Sequence, residues 1–162
     1  MKIAVSACLL GEACRYDGRS KPCARVQELA ALGHELVPIC PEVAGGLPTP
    51  RTPCEIVQAP WMESGKARAA NERSWTILDA SGADRTAAYA RGAQAELARA
   101  KEAGCELAIL KAKSPSCGSG EVYDGTFSGT LVPGWGIAAA AFRDAGITVI
   151  DETADLSRLA NG

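Results

Sequence analysis

No Cys-x-x-Cys pair occurs in this chain, although its 162 residues include seven cysteines. That absence removes zinc ribbons and thioredoxin-like redox centres. The tight three-cysteine run of bacterial ferredoxins is missing as well. Neither a G-x-G-x-x-G fingerprint nor a Walker lysine motif is present. Positive charge is not in excess: the net charge is −2 and the pI about 5.5, so no global basic field invites a nucleic-acid backbone. Uncharged apolar runs never reach the ~18 residues of a membrane span. Met1 leads straight into the strand-like Lys2-Ile3-Ala4-Val5, without the basic and apolar regions of a signal peptide. A soluble, cytoplasmic protein with no membrane partner is expected. The single histidine, His34, falls between a helix and a strand and is expected in a turn.

What the chain does have is thiols. They are Cys8, Cys14, Cys23, Cys40, Cys54, Cys105 and Cys117. An odd number in a reducing compartment, in a domain large enough to fold unstapled, argues against a disulfide framework. If these thiols bind metal, they must come together from distant segments. The composition, 47% hydrophobic and 22% charged, fits one globular domain over residues 1–162 with a real core.

Periodicity sets out the elements. Lys2 to Ala7 reads as a first strand, with Cys8 at its end. Cys14 to Gly18 is a loop closed by the turn pair Asp17-Gly18. Val26, Leu29, Ala30 and Leu32 mark a short amphipathic helix stopped at Gly33. Leu36 to Ile39 is a second strand, Pro38 favouring an edge, and Cys40 follows at once. Residues 40–53 hold four prolines and two adjacent glycines, a composition that predicts neither helix nor ladder strand but a shaped wall. Glu55 to Val57 reads as a small strand. Trp61 to Ala80 is left unassigned apart from a strand-like Trp75 to Leu78 and a turn over Asp79 to Gly82, a pair that would form a side layer near the site. Arg85 to Ala103 is a clear helix, with Ala88, Tyr89, Ala93, Leu97 and Ala100 on one stripe. Leu107 to Leu110 is a buried strand, Trp135 to Ala145 a second long helix, Ile147 to Ile150 a strand, and Asp155 to Ala160 a terminal helix.

Strand–helix–strand alternation predicts an α/β fold. Its mostly parallel sheet is flanked by helices in a Rossmann-like three-layer sandwich, with a small loop-rich or β subregion around 45–82. Parallel strands end on one edge, where open α/β sheets keep their chemistry. Cys8, Cys40 and Cys117 each follow a strand, so they are expected to converge although 32 and 77 residues separate them in turn. Cys105 stands at a strand's beginning and is expected as a small buried residue. Cys23 and Cys54 lie in flanks. Cys14 is either a spare thiol near the site or a packing residue.

The segments SACLLG with RYDG, CPE with a downstream GGLPTPR, and LKAKSPSCG resemble the thiouracil desulfidase family, in order and over nearly the whole chain. A closing GWGIAAAAFRDAGI segment extends the likeness. The resemblance implies a [4Fe-4S] cluster held by three cysteines, which map to Cys8, Cys40 and Cys117, with one iron free for substrate sulfur. It also implies acid/base roles for Glu42 and Ser114. Lys111, Ser116 and Ser119 are the candidate substrate contacts. The Gly118-Ser119-Gly120 and Ser128-Gly129-Thr130 runs, ahead of the second long helix, offer backbone N–H groups to a phosphate. The implied partner is a thiolated pyrimidine or its nucleotide, such as 4-thio-UMP, hydrolysed with release of sulfide. Two other classes stay open: a cysteine-persulfide transfer enzyme using Cys117 without a cluster, and a module binding thiolated transfer RNA. Against the latter stands the shortage of basic residues. Plainer roles also stay open: Glu42 pairing with Arg51, Ser114 capping a turn before Pro115, Lys113 as a solvated lysine.

Overall fold

The computed structural model describes residues 1–58 and 75–161. Its elements are β1 (Lys2–Ser6), a 3-10 turn (Ala7–Leu10), α1 (Ala24–Ala31), β2 (Glu35–Ile39), α2 (Pro41–Ala44), β3 (Cys54–Gln58) and β4 (Trp75–Asp79). Then follow α3 (Thr86–Ala103), β5 (Leu107–Leu110), β6 (Ser119–Tyr123), β7 (Leu131–Trp135), α4 (Ile137–Asp144), β8 (Thr148–Asp151) and α5 (Ser157–Ala160). The unassigned stretch from Trp61 lies outside the described residues as far as position 74.

Four strands form a parallel sheet in the order β2-β1-β5-β8. Because side chains alternate across a strand, the sheet divides its apolar residues between two faces. Ile3, Val5, Leu107 and Ile109 meet Val26 and Leu29 of α1 and Leu156 on one side. Ala4, Ile39, Ala108 and Leu110 meet Leu97 and Ala100 of α3 and Ala139 and Phe142 of α4 on the other. The three layers expected from alternation are present. β2 is an edge strand, which is where Pro38, lacking an N–H, is tolerated. A third cluster, built on Ile56, Ile77, Tyr89, Val122 and Ile137, lies beneath two antiparallel pairs, β3-β4 and β6-β7. The first of these is the expected side layer.

Three local expectations are corrected. Trp135 is strand rather than helix: it pairs with Ser119, and α4 starts only after Gly136, whose extended backbone breaks the run. Pro41–Ala44 does form a helical turn, because a proline at the first helical position lacks only an N–H that would go unused. The β6-β7 hairpin has weak alternation; its legible signal is the Asp124-Gly125 turn pair, with Gly125 at φ +91. Ser128-Gly129-Thr130 therefore belongs to the hairpin loop and does not lead into α4.

Two glycines in ordinary backbone conformations allow α2 to lie directly on α3. A Cβ on Gly92 would collide with the Pro41 carbonyl, and one on Gly45 with the Ala88 carbonyl. Gly92→Ala is therefore expected to cost ~1–3 kcal/mol through overpacking, seen as a fall of several degrees in Tm. It should also reduce activity, because α2 carries Glu42.

Candidate active site

The strands dictate where the thiols go. Cys8 follows β1, Cys40 follows β2 and Cys117 lies beyond β5, and these are three neighbouring strands of one parallel sheet. Neighbouring strands lie ~4.8 Å apart, so three adjacent carboxyl ends fall within about 10 Å. All three cysteines line one cavity of about 480 Å³, together with Cys14, Glu42, Lys111, Ser114 and Ser116. Ser119 is not among the lining residues; it opens β6 opposite Trp135. Cys105 is buried on the far side among Ala100, Ala108 and Ile147.

Each thiol is held. Cys8 is buried in the 3-10 turn. The backbone N–H of Cys40 donates to Glu96 Oε2 at 2.8 Å, and that buried carboxylate is itself paired with Arg99. The backbone N–H of Cys117 donates to Ser114 Oγ at 3.1 Å. Ser6 Oγ accepts the Lys111 backbone N–H at 2.9 Å, and its hydroxyl hydrogen-bonds the Cys117 thiol. The Cys40 thiol donates to the Cys14 carbonyl at 4.0 Å, and the Cys14 thiol neighbours those of Cys8 and Cys40.

Close quarters and burial favour the protonated thiols. The bond with Cys14, then burial, hold Cys40 well above the ordinary thiol range. Burial pushes Cys117 up to about 12 against the lowering effect of Ser6 and Ser116. For Cys14 the bond to Cys40 lowers the pKa, but the bond to Cys8 and burial outweigh it and raise it to about 11. Among the described residues no three His, Cys, Asp or Glu side chains gather tightly enough for a single metal ion. Soft sulfur donors of the kind Cys8, Cys40 and Cys117 bring to this cavity select copper, zinc or iron–sulfur centres. A cationic core among them would stabilise the thiolates that burial alone disfavours.

Glu42 sits on α2, two residues after Cys40. Its Oε1 accepts from the Tyr89 hydroxyl at 2.8 Å and from Arg51 Nε at 3.3 Å; its Oε2 accepts from Ser116 Oγ at 2.9 Å. The expected pairing with Arg51 is thus real, yet Glu42 also reaches the cavity. Arg51 further donates Nη2 to the Cys14 carbonyl at 2.8 Å and Nη1 to Thr49 Oγ1 at 2.9 Å, tying three loops together. Tyr89 is almost fully buried; burial, then the charge of Glu42, raise its hydroxyl pKa far above the usual range.

The serine roles divide. Ser114 Oγ accepts the backbone N–H groups of Ser116 and Cys117, both at 3.1 Å, which is the turn-capping role. With its acceptor capacity used, its proton points to Ser116 Oγ at 2.9 Å, and Ser116 passes its own to Glu42. The result is a directed chain, Ser114 to Ser116 to Glu42. Gly136 lets this loop rest on α4, since a Cβ there would come within 2.5 Å of the Ser116 backbone. The Pro115 and Ser116 carbonyls take the first N–H groups of α4, so that helix start is not available to a phosphate. Ser116→Ala removes one bond to a carboxylate, worth ~1.5–3 kcal/mol. If all of that is felt in the transition state, kcat should fall roughly tenfold to a hundredfold, with Tm little changed.

The lysines differ. Lys111 Nζ pairs with Glu152 at 2.9 Å, which offsets its charge. Lys113 and Arg15 line the cavity, and among the described residues no carboxylate pairs with either. Sequence reasoning missed Ser6, Glu96 and Tyr89 as site residues. Glu96 carried a signal: a carboxylate on the buried stripe between Ala93 and Ala100.

The fold and site are those of a parallel α/β domain whose carboxyl edge gathers several thiols and a held carboxylate in one cavity. The chain belongs to the 2-thiouracil desulfurase family, which it matches over residues 3–154, in agreement with the resemblance of its motifs. It is 42% identical over 150 residues to the uncharacterized protein YbbK of Bacillus subtilis (strain 168), covering 93% of this chain and 95% of YbbK. A solved structure named [4Fe-4S]-dependent thiouracil desulfidase TudS superposes with a TM-score of 0.79 at 42% identity, covering 99% of this chain and 95% of that one. Among the described residues no helix is long and apolar enough to cross a membrane.

Proposed function

We propose that this chain is a thiouracil desulfidase in which Cys8, Cys40 and Cys117 hold a [4Fe-4S] cluster, and that it hydrolyses the thiocarbonyl of a thiolated pyrimidine to the oxo-pyrimidine and sulfide. The supporting observation is the meeting of three sequence-distant thiols on adjacent strand ends, in one cavity with Glu42. TudS, named for the same cofactor and activity, supports it further. A cluster bound by three thiolates supplies an iron without a protein ligand, a soft Lewis acid suited to a thiocarbonyl sulfur. Glu42, kept in place by Tyr89, Arg51 and Ser116, takes the proton of the incoming water. The Ser114–Ser116 chain orients that carboxylate, which then gives the proton up to the ring nitrogen or the departing sulfide and is ready again. A cytoplasmic location, where thiols stay reduced, belongs to the same reading.

The size and charge of the cavity bear on the substrate. A void of about 150 Å³ holds one benzene-sized ring, whereas this cavity has about 480 Å³. Arg15 and Lys113 on its wall are cations without an acidic partner among the described residues. The cluster would take part of that volume, so it is the two cations that favour a ring with a ribose phosphate attached, as in 4-thio-UMP, over the free base; the phosphate would meet side chains rather than the start of α4. The persulfide alternative is less well supported, since a buried thiol with a pKa near 12 is a poor nucleophile at neutral pH.

The test is anaerobic purification followed by incubation with 2-thiouracil, 4-thiouracil and 4-thio-UMP, measuring sulfide. Brown protein with about four irons per chain that releases sulfide is the expected result. Colourless protein with full sulfide release would support the cluster-free route with Cys117 as a thiol nucleophile. Loaded protein that releases none from any of the three would overturn the assignment.

A further inference from the structure

We infer that Cys14 is a fourth, displaceable thiolate ligand, covering the open iron until substrate sulfur takes its place. This rests on the reading that Cys8, Cys40 and Cys117 hold the cluster. Cys14 lies in the same cavity, where the Cys40 thiol donates to its carbonyl at 4.0 Å and its own thiol neighbours those of Cys8 and Cys40. The other spare thiols are placed differently: Cys23 is at the start of α1, Cys54 also lines the cavity but on the β3 side with its thiol donating to the Thr52 carbonyl at 3.6 Å, and Cys105 is buried at the opposite edge of the sheet. Nor is Cys14 there by chance of a loose loop. Its backbone N–H donates to the Glu12 carbonyl at 2.9 Å, and its carbonyl accepts from Arg51 at 2.8 Å. The same Arg51 grips Glu42, so the thiol and the carboxylate share one anchor.

The distinction from the other three ligands is mechanical. Cys8, Cys40 and Cys117 follow strands of the central sheet, and each has its backbone or side chain enclosed. Cys14 is half-buried, as Cys40 is, but it lies in the irregular segment between the 3-10 turn and α1, away from any strand end. Rotation of its side chain withdraws the sulfur without moving an element. In the exchange, the iron–Cys14 bond breaks with its electron pair on sulfur and a bond from the substrate sulfur forms. No electron changes hands. A cavity of this size would otherwise leave the iron open to water and to loss.

Two measurements on anaerobically loaded protein test this. Mild oxidation with ferricyanide expels an iron that lacks a protein ligand and leaves a [3Fe-4S] cluster visible by electron paramagnetic resonance. Wild type is expected to give a weak signal and Cys14→Ala one several-fold stronger, at equal initial iron. Separately, iodoacetamide labelling of wild type, read by peptide mass spectrometry, should modify Cys14 several-fold faster with saturating 2-thiouracil than without. Equal oxidation signals, or labelling indifferent to 2-thiouracil, would overturn the inference and leave the cluster assignment intact. So would loss of the cluster from Cys14→Ala alone, since Cys14 would then be a permanent ligand. Wild type that assembles no cluster would instead remove the reading on which the inference depends.

Discussion

Glu42→Gln is expected to keep about four irons per chain and to lose turnover by about 10²–10⁴, the usual contribution of general acid–base catalysis. Glutamine preserves the shape of the side chain but cannot accept the proton of an attacking water. The difficulty is that Glu42 also has structural work, because it pairs with Arg51, whose side chain is only 5% exposed. Breaking a buried pair by removing one partner can cost ~3–5 kcal/mol, somewhat less here because Glu42 retains 17% exposure. Iron content and Tm separate the two effects. A chemical role leaves iron in place and lowers kcat far more than the change in Tm explains. A scaffold role lowers Tm and iron together, with the remaining loaded protein turning over normally. The latter result would demote Glu42.

Cys8→Ala, Cys40→Ala and Cys117→Ala should each lose the iron altogether, while Cys105→Ala keeps both iron and turnover. The contrast follows from position. The first three stand at the carboxyl ends of β1, β2 and β5, side by side in the sheet. Cys105 is as buried as Cys8 and Cys117 but precedes β5, at the opposite edge. Cys14, off the strand ends, cannot stand in for any of these three. Iron analysis on anaerobically reconstituted variants decides the matter, with circular dichroism as the control for folding. Full iron retention by Cys117→Ala would remove the proposed ligand set. Cys105→Ala deletes one buried sulfur and should lower Tm modestly.

Glu96 and Ser6 mark how the ligands are supported from behind. Metal sites depend on the groups that orient their ligands as well as on the ligands themselves. Here a buried carboxylate fixes the Cys40 backbone, and a buried hydroxyl joins the Lys111 backbone to the Cys117 thiol. Glu96 stays outside the cavity lining and Ser6 is part of it, yet each acts through a ligand's position. Both determine where a sulfur stands.

From the amino-acid order alone, the parallel sheet, its two covering layers and the convergence of Cys8, Cys40 and Cys117 were legible. Burial on both faces writes itself as runs such as Leu107 to Leu110, and a cysteine after each of three parallel strands must lie at the shared edge. The motifs carried the family. Tertiary structure alone decided which partner each polar atom takes. Ser116 rather than Ser114 touches Glu42, although both belong to one five-residue motif. Tyr89, expected only as part of a buried stripe, turns its hydroxyl onto a carboxylate 47 residues away. The helical turn at Pro41 and the late start of α4 depend on Gly92 and Gly136 admitting another backbone. The physical reason is common to all of these. Periodicity reports which face of an element is buried, but a hydrogen bond or a backbone contact depends on atoms from segments that meet only when the chain has folded.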